Sequence, residues 1–326
     1  MRAIVRTQYG SPDVLRLAEV EKPTPKDDEV LVKIHVISLN RSDWEMLIGK
    51  PLYARIGGLL NPRHSILGSD IAGRVEEVGK NVKRFRPGDE VFGDMLARMS
   101  GFAEYICASE SALALKPASM TFEQAASIPQ AAVIALQGIR DKGQVQPGQK
   151  VLINGAGGGA GTFAVQLAKL YGAEVTGVDN TGKLDFMSSL GADHVIDYTQ
   201  EDFTKNGKQY DLILDVIAHR SVFAYQRALK PNGSYFAVGG SVTTFFQILF
   251  LGPWIRRTTG KKIRLLIVQS NLKDMVHITE LCEAGKIVPV IDRSYPLSEV
   301  PEALRYLGEG RAKGKVVITL ESDHKA

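Results

Sequence analysis

One stretch constrains this chain more than any other. Residues 150–161 read Lys-Val-Leu-Ile-Asn-Gly-Ala-Gly-Gly-Gly-Ala-Gly, and Thr-Phe-Ala-Val-Gln-Leu-Ala-Lys-Leu-Tyr-Gly follows to residue 172. Residues 151–153 read as a buried parallel strand. The glycines read as a tight turn, and 162–170 as a helix with Phe163, Leu167 and Leu170 on one face. Residues 173–178 give a second strand, ended by Asp179. Strand, turn, helix, strand and terminal acid are the order of a mononucleotide-binding βαβ unit. Missing Cβ atoms let the backbone approach a pyrophosphate, and the helix start offers its charge unpaired N–H groups. Gly158, Gly159, Ala160 and Gly161 are the candidates for that contact. The spacing Ala156-x-Gly158-x-x-Gly161 is one residue off the strict dinucleotide pattern, with Ala156 small enough to keep the turn tight.

A length of 326 residues suggests two domains, and 44% apolar content supports a sizeable core. A net charge of +4 is too mild to argue for nucleic acid. Cys107 and Cys282 are the only cysteines, so no disulfide scaffold and no cysteine cluster for structural zinc is expected. A reduced cytoplasm fits. The chain enters a strand directly at residues 1–5, without the pattern of a signal peptide, and no apolar run nears the roughly 20 residues that span a bilayer.

Upstream of the βαβ unit, short strands alternate with Gly and Pro turns, as in a compact barrel-like β domain. Residues 29–37 are the clearest strand. His35 falls on its polar side and reads better as a solvated or structural histidine than as a catalytic one. Residues 39–48 begin a short helix that Ser42 or Asn40 caps. Residues 49–66 are an irregular, functional-looking loop, with an interface or a satellite core cluster as the bland alternative. Thr121 and Gln124 form a capping box. Downstream of residue 172 the alternation continues: a helix through Leu190, strands at 211–217 and 233–240, a strand at 262–268, and helices at 272–284 and 295–306. This is a doubly wound α/β sheet. Residues 245–254, Phe-Phe-Gln-Ile-Leu-Phe-Leu-Gly-Pro-Trp, form an apolar patch suited to covering a substrate, a partner subunit or a membrane surface.

Over residues 1–320 the chain resembles a medium-chain dehydrogenase/reductase of the zinc-free, quinone oxidoreductase-like branch. The resemblance is carried by Asn40-x-x-Asp43, Leu67-Gly-Ser-Asp-Ile-Ala-Gly73, Val78-Gly79 with Phe85-x-Pro-Gly-Asp89, and Gly155-Ala-Gly-Gly-Gly-Ala-Gly-Thr162. Leu190-Gly-Ala-Asp193, Asp197-Tyr198 and Gly314-Lys-Val-Val-Ile318 complete it. It implies a GroES-like β-barrel catalytic domain at 1–123 and 289–326, and a Rossmann NAD(P)-binding domain at 124–288. It also implies a homodimer formed edge to edge, with 263–268 as the candidate edge strand.

The same resemblance locates the chemistry. Where zinc alcohol dehydrogenases carry Cys-x-x-Asp and Gly-His-Glu, this chain has Asn40-Arg-Ser-Asp43 and Gly68-Ser69-Asp70, so no zinc is expected. NAD or NADP, in reduced form, then supplies hydride to a quinone, an α,β-unsaturated carbonyl or an aldehyde. Asn40 is the leading catalytic candidate, holding a substrate oxygen or the nicotinamide ribose. Tyr53 and His64 belong to the 49–66 loop, and Tyr53 is the second catalytic candidate. Asp179 favours NAD through the adenosine ribose, whereas Lys183 and Tyr198 match the phosphate-binding lysine and adenine-side tyrosine of NADPH-using relatives. Asn180 and Thr181 are further candidates for a phosphate, and Val216, Gly239, Gly240 and Lys315 complete the expected cofactor set. Two other classes stay open: a protein that binds the cofactor without turnover, and one that binds a membrane surface or partner through 245–254.

Overall fold

A computed structural model describes residues 1–55 and 58–320. Two residues of the 49–66 loop therefore lie outside the described residues. The chain opens with β1 (Arg2–Val5), β2 (Arg16–Glu19) and β3 (Glu29–Ser38), followed by α1 (Arg41–Ile48). Next come β4 (Asp70–Val78), β5 (Glu90–Asp94), β6 (Tyr105–Ser109) and β7 (Leu113–Leu115), then α2 (Phe122–Ala126) and α3 (Ala131–Leu136). A π-helical turn, Gln137–Lys142, leads to β8 (Lys150–Asn154), α4 (Gly159–Leu170), β9 (Glu174–Asp179), α5 (Leu184–Ser189) and β10 (His194–Asp197). The alternation continues with β11 (Tyr210–Asp215), α6 (Val222–Ala228), β12 (Leu229–Ala237), α7 (Val242–Thr259) and β13 (Lys262–Leu265). Helix α8 (Leu272–Glu283), β14 (Ile291–Pro296), α9 (Val300–Gly308) and β15 (Lys315–Thr319) close the chain.

These elements form two compact units. The first comprises 1–130, 270–284 and 289–326. Its main sheet runs β14-β15-β3-β4-β5-β7, with β6 also paired to β3. Strand β3 is the hub: its apolar run pairs antiparallel with β4, β6 and β15. Val30, Val32, Ile34 and Ile37 enter a core shared with Ile71, Val91 and Ile318. The GroES-like barrel expected from the sequence is this sheet.

The second unit comprises 131–269 and 285–288. It is a six-stranded parallel sheet in the order β10-β9-β8-β11-β12-β13, the doubly wound arrangement. Two glycines make the first turn possible. Gly155 has φ +85°, a left-handed conformation that favours glycine. A Cβ on Gly161 would lie 2.1 Å from the Gly155 carbonyl oxygen and 2.6 Å from Ala156 Cα, so only glycine lets α4 pack onto the turn.

Two expectations need correction, and the apolar patch gains an element. Residues 124–130 and 270–284 group with the first unit rather than the second: α8 packs on β7, and the Gln130 amide donates to Asp70. Residues 295–306 are not one helix, because Tyr295 and Pro296 belong to strand β14, in parallel register with β15, and α9 starts only at Val300. The apolar patch at 245–254 lies within a helix capped by Ser241, whose Oγ accepts the Thr244 N–H, and ended by left-handed Gly260. Strand β13, four residues long, lies at the sheet edge as expected.

Candidate active site

In the first unit, Asn40 stands at the junction of β3 and α1. Its backbone N–H donates to Asp43 Oδ2 at 2.8 Å, the reach-back bond that starts a helix from an extended residue. Its side chain meets three others. Lys315 Nζ, at the head of β15, donates to Asn40 Oδ1 at 2.6 Å. Asn40 Nδ2 donates to Asp70 Oδ2 at 2.8 Å and to Ser69 Oγ at 3.1 Å. Ser69 Oγ passes its own hydrogen to Asp43 Oδ2 at 3.1 Å. An ammonium has no lone pair to accept with, so Lys315 fixes the orientation of the Asn40 amide. Both Nδ2 hydrogens are then spent, and the amide retains only acceptor capacity on Oδ1.

The cluster is dry and charged. Asp43 and Asp70 are fully buried and Lys315 is 1% exposed. Lys315 Nζ also lies 3.8 Å from Asp70 Oδ2. Burial pushes Asp70 well above the usual carboxylate range and Asp94 adds repulsion, against the pull of Lys315. Burial lowers Lys315, against the attraction of Asp70, Asp43 and Asp94. Desolvation outweighs the attraction on both sides, as expected for an ion pair taken out of water. Among the described residues, no group of three or more His, Cys, Asp or Glu is placed to hold a metal ion. Asn40 and Ser69 are poor zinc donors, and the ammonium already fills the cationic role there.

In the second unit, every expected cofactor residue lies at the carboxyl ends of parallel strands, where nucleotides bind in such sheets. Gly158 precedes α4, and the amides of Gly159, Ala160 and Gly161 are open donors of its first turn. A Cβ on Gly158 would find only the Gly155 oxygen, at 3.4 Å, so the space above the turn is clear. This cradle fits a pyrophosphate. Asp179 and Lys183, 5% and 6% exposed, face each other with Nζ 3.3 Å from Oδ1. Asp179 also accepts from the amides of Asn180, at 2.9 Å, and Gly157, at 3.1 Å. Asn180 caps the next turn through Gly182, and Thr181 Oγ1 donates to Asp197. Tyr198 is half-exposed, its ring open to stacking. Val216 follows β11, and Gly239 accepts the Ala218 N–H at 2.8 Å. Gly240, at φ +146°, comes so close that a Cβ would lie 2.1 Å from the Ala218 oxygen.

The other candidates have partners of their own. Tyr53, in a 3-10 turn over Leu52–Arg55, donates to Glu45 Oε2 on α1 at 3.2 Å. His64 lines a cavity of about 580 Å³ with Arg98, Tyr105 and Cys107, and Asn40 is not part of its wall. His35 stacks on Phe122 at 4.5 Å, the structural rather than the solvated of its two expected roles. Sequence reasoning missed the Asp70–Asn40–Lys315 contact and the Asp179–Lys183 pair. A lysine heading the apolar run Gly314-Lys-Val-Val-Ile318 was the available signal for the first. A five-residue window holding one acid and one lysine was the signal for the second.

Residues 26–136 match the family described as "Alcohol dehydrogenase GroES-like domain", and residues 190–318 match "Zinc-binding dehydrogenase". The 2-methylene-furan-3-one reductase of Solanum lycopersicum is 36% identical, over 98% of this chain and 79% of that protein. The chloroplastic NADPH-dependent alkenal/one oxidoreductase of Arabidopsis thaliana is 33% identical, over 98% and 79%. Among solved structures, the quinone oxidoreductase from Coxiella burnetii superposes with a TM-score of 0.87 at 29% identity, covering 98% of this chain and 99% of that one.

The buried acid of α1 yields a test. Burial raises the Asp43 carboxyl from 3.8 to about 6, against the hydrogen bonds from Asn40 and Ser69. Between those values the native state binds more protons than the unfolded chain. Stability therefore falls as pH rises through that window, by about 3 kcal/mol once Asp43 is ionised. Asp43→Asn retains an acceptor oxygen and cannot ionise. Urea unfolding from about pH 4 to about pH 7 should show a smaller loss of stability for the variant than for the wild type. Equal losses would assign the pH dependence to other groups.

Proposed function

The chain belongs to the medium-chain dehydrogenase/reductase superfamily, in its quinone oxidoreductase-like branch, and on that premise we propose that it is an NAD(P)H-dependent oxidoreductase whose hydride acceptor is a quinone or an α,β-unsaturated carbonyl. The observation that carries the reading is the open Gly159–Gly161 amide cradle at the carboxyl edge of a doubly wound sheet, beside an acid and a lysine at the end of its second strand. The reduced nicotinamide supplies the hydride when bound.

The residues divide the remaining work. The α4 amides and helix dipole bind the pyrophosphate. Tyr198 covers the adenine side, and Val216, Gly239 and Gly240 keep backbone close to the cofactor. Asn40 has spent both donors, so it cannot hydrogen-bond an acceptor's carbonyl oxygen. Its held Oδ1 takes a hydroxyl donor, which favours the ribose role over the substrate role, with Lys315 as the residue that aims it. Tyr53, anchored by Glu45, remains the candidate on the acceptor side. With Cys107 and Cys282 both unpaired, a reducing compartment such as the cytoplasm suits the chain.

Metal-assisted alcohol chemistry does not fit the donor set of Asn40, Ser69 and a buried ammonium. Elemental analysis of the purified protein should find no stoichiometric zinc, and a chelator should leave quinone reduction intact. One tightly held zinc per chain would overturn this.

We also propose dual cofactor use, set by the Asp179–Lys183 pair. Asp179 already accepts from two amides and an ammonium, leaving room for one ribose hydroxyl, which suits NADH. Lys183 carries three donors and spends one on Asp179, so it can turn another to a 2′-phosphate, with the neighbouring carboxylate opposing that charge. Asp179→Ser should raise kcat/KM with NADPH relative to NADH by about tenfold, and Lys183→Ala should lower that ratio by about as much, each on the order of 1.4 kcal/mol. The assay uses 1,4-benzoquinone and an enone as competing acceptors. Unchanged ratios in both variants would show that neither residue reads the 2′ position, and binding without turnover would refute the enzyme.

A further inference from the structure

Helix α7 carries an unusual outer face. Phe246, Leu249, Phe250 and Trp254 are 56%, 56%, 74% and 54% exposed. At 3.6 residues per turn they share an arc of roughly 140°. The opposite arc holds Thr244, Ile248, Gly252 and Ile255, all buried. Gly252 lets the helix lie against β13: a Cβ there would be 2.5 Å from the Ile263 oxygen. The Phe246 and Phe250 rings are already stacked, with centroids 6.2 Å apart.

The stretch of chain that carries this face has charge of one sign. Residues 216–273 contain no aspartate or glutamate, while Arg256, Arg257, Lys261, Lys262 and Arg264 fall within residues 256–264. Lys261 is turned inward, donating to the Gln226 carbonyl. Arg256, Arg257, Lys262 and Arg264 are exposed and carry no ion pair among the described residues. Arg257 lies within the apolar arc, and Arg256 flanks it.

We propose that the outer face of α7 is a docking surface for an anionic lipid bilayer. The rings enter the headgroup–acyl boundary while the arginines meet acidic headgroups, the division of labour of helices that lie in a membrane surface. No helix among the described residues is long and apolar enough to cross a membrane, and α7 lies on the bilayer rather than through it. A second copy of the chain is the competing occupant. A two-fold contact on this face would set the same cations against one another, with no acid in 216–273 to offset them. Quinones and alkenals partition into hydrocarbon, so docking brings the chain to the phase that holds its acceptors. That last clause alone rests on the function proposed above.

The test uses the full chain with phosphatidylcholine vesicles, with and without phosphatidylserine. Sedimentation should show binding to the anionic vesicles only, weakened by salt, with a blue shift of tryptophan emission. Arg256→Gln combined with Arg257→Gln should weaken binding by about tenfold or more, and Phe250→Glu should abolish it. Reduction of soluble 1,4-benzoquinone without vesicles should be unchanged in both variants, which verifies their folding. Failure of that activity in the wild type would refute the enzyme reading while vesicle binding is still read. Absent or charge-independent binding would overturn the docking proposal. A wild-type dimer that Phe250→Glu converts to a monomer, with no vesicle binding, would assign the face to a second copy.

Discussion

Lys315 is the charge on which the first unit depends. It is buried beside three carboxyl groups and reaches Asn40, which is 275 positions earlier in the chain. Through that bond the head of β15, the start of α1 and the start of β4 are fixed to one another. Removing one member of a buried ionic cluster typically costs 3–5 kcal/mol, because the partner charge is left without compensation. The cluster is therefore poor ground for adding stability and strong ground for specifying one arrangement. It also orients the Asn40 amide, since the lysine dictates which end of it faces where.

The cofactor half of the protein was legible because its constraints are local. A turn requiring Gly155 in a left-handed conformation and Gly161 against its carbonyl can be read from a dozen residues. The strands of the parallel sheet announce themselves as apolar runs, buried on both faces. Helix α7 was harder. Phe245, Phe246 and Pro253 obscure its period, and it is held by caps at Ser241 and Gly260 that only the folded chain shows. The end of β14 was lost for a related reason. Tyr295 is in a strand because β15 lies beside it, a partner some twenty residues away. Residues 270–284 were given to the second unit by the family resemblance, whereas their packing follows β7.

Side-chain partnerships were less legible still. Sequence reasoning treated Asp179 and Lys183 as rivals for a ligand, one favouring each cofactor. The structure makes them partners first, so a ligand that meets either one meets a paired charge rather than a free one. In the same way Asn40 and Ser69 were read as ligands missing from a metal site. In the fold they belong to a hydrogen-bonded chain, Lys315 to Asn40 to Ser69 to Asp43, with donors and acceptors matched at each step.

The placement of β15 has a consequence for how the chain is made. The second unit is nearly contiguous, 131–269, so its parallel sheet can be completed as soon as those residues leave the ribosome. The first unit is begun earlier and cannot be finished then. Its hub strand, β3, waits for a neighbour more than 270 residues downstream, and Asp43 and Asp70 wait with it for their ammonium. Synthesis therefore reverses the order of the halves: the part translated first is the last to close, and its carboxylates stay wet until the final strand arrives.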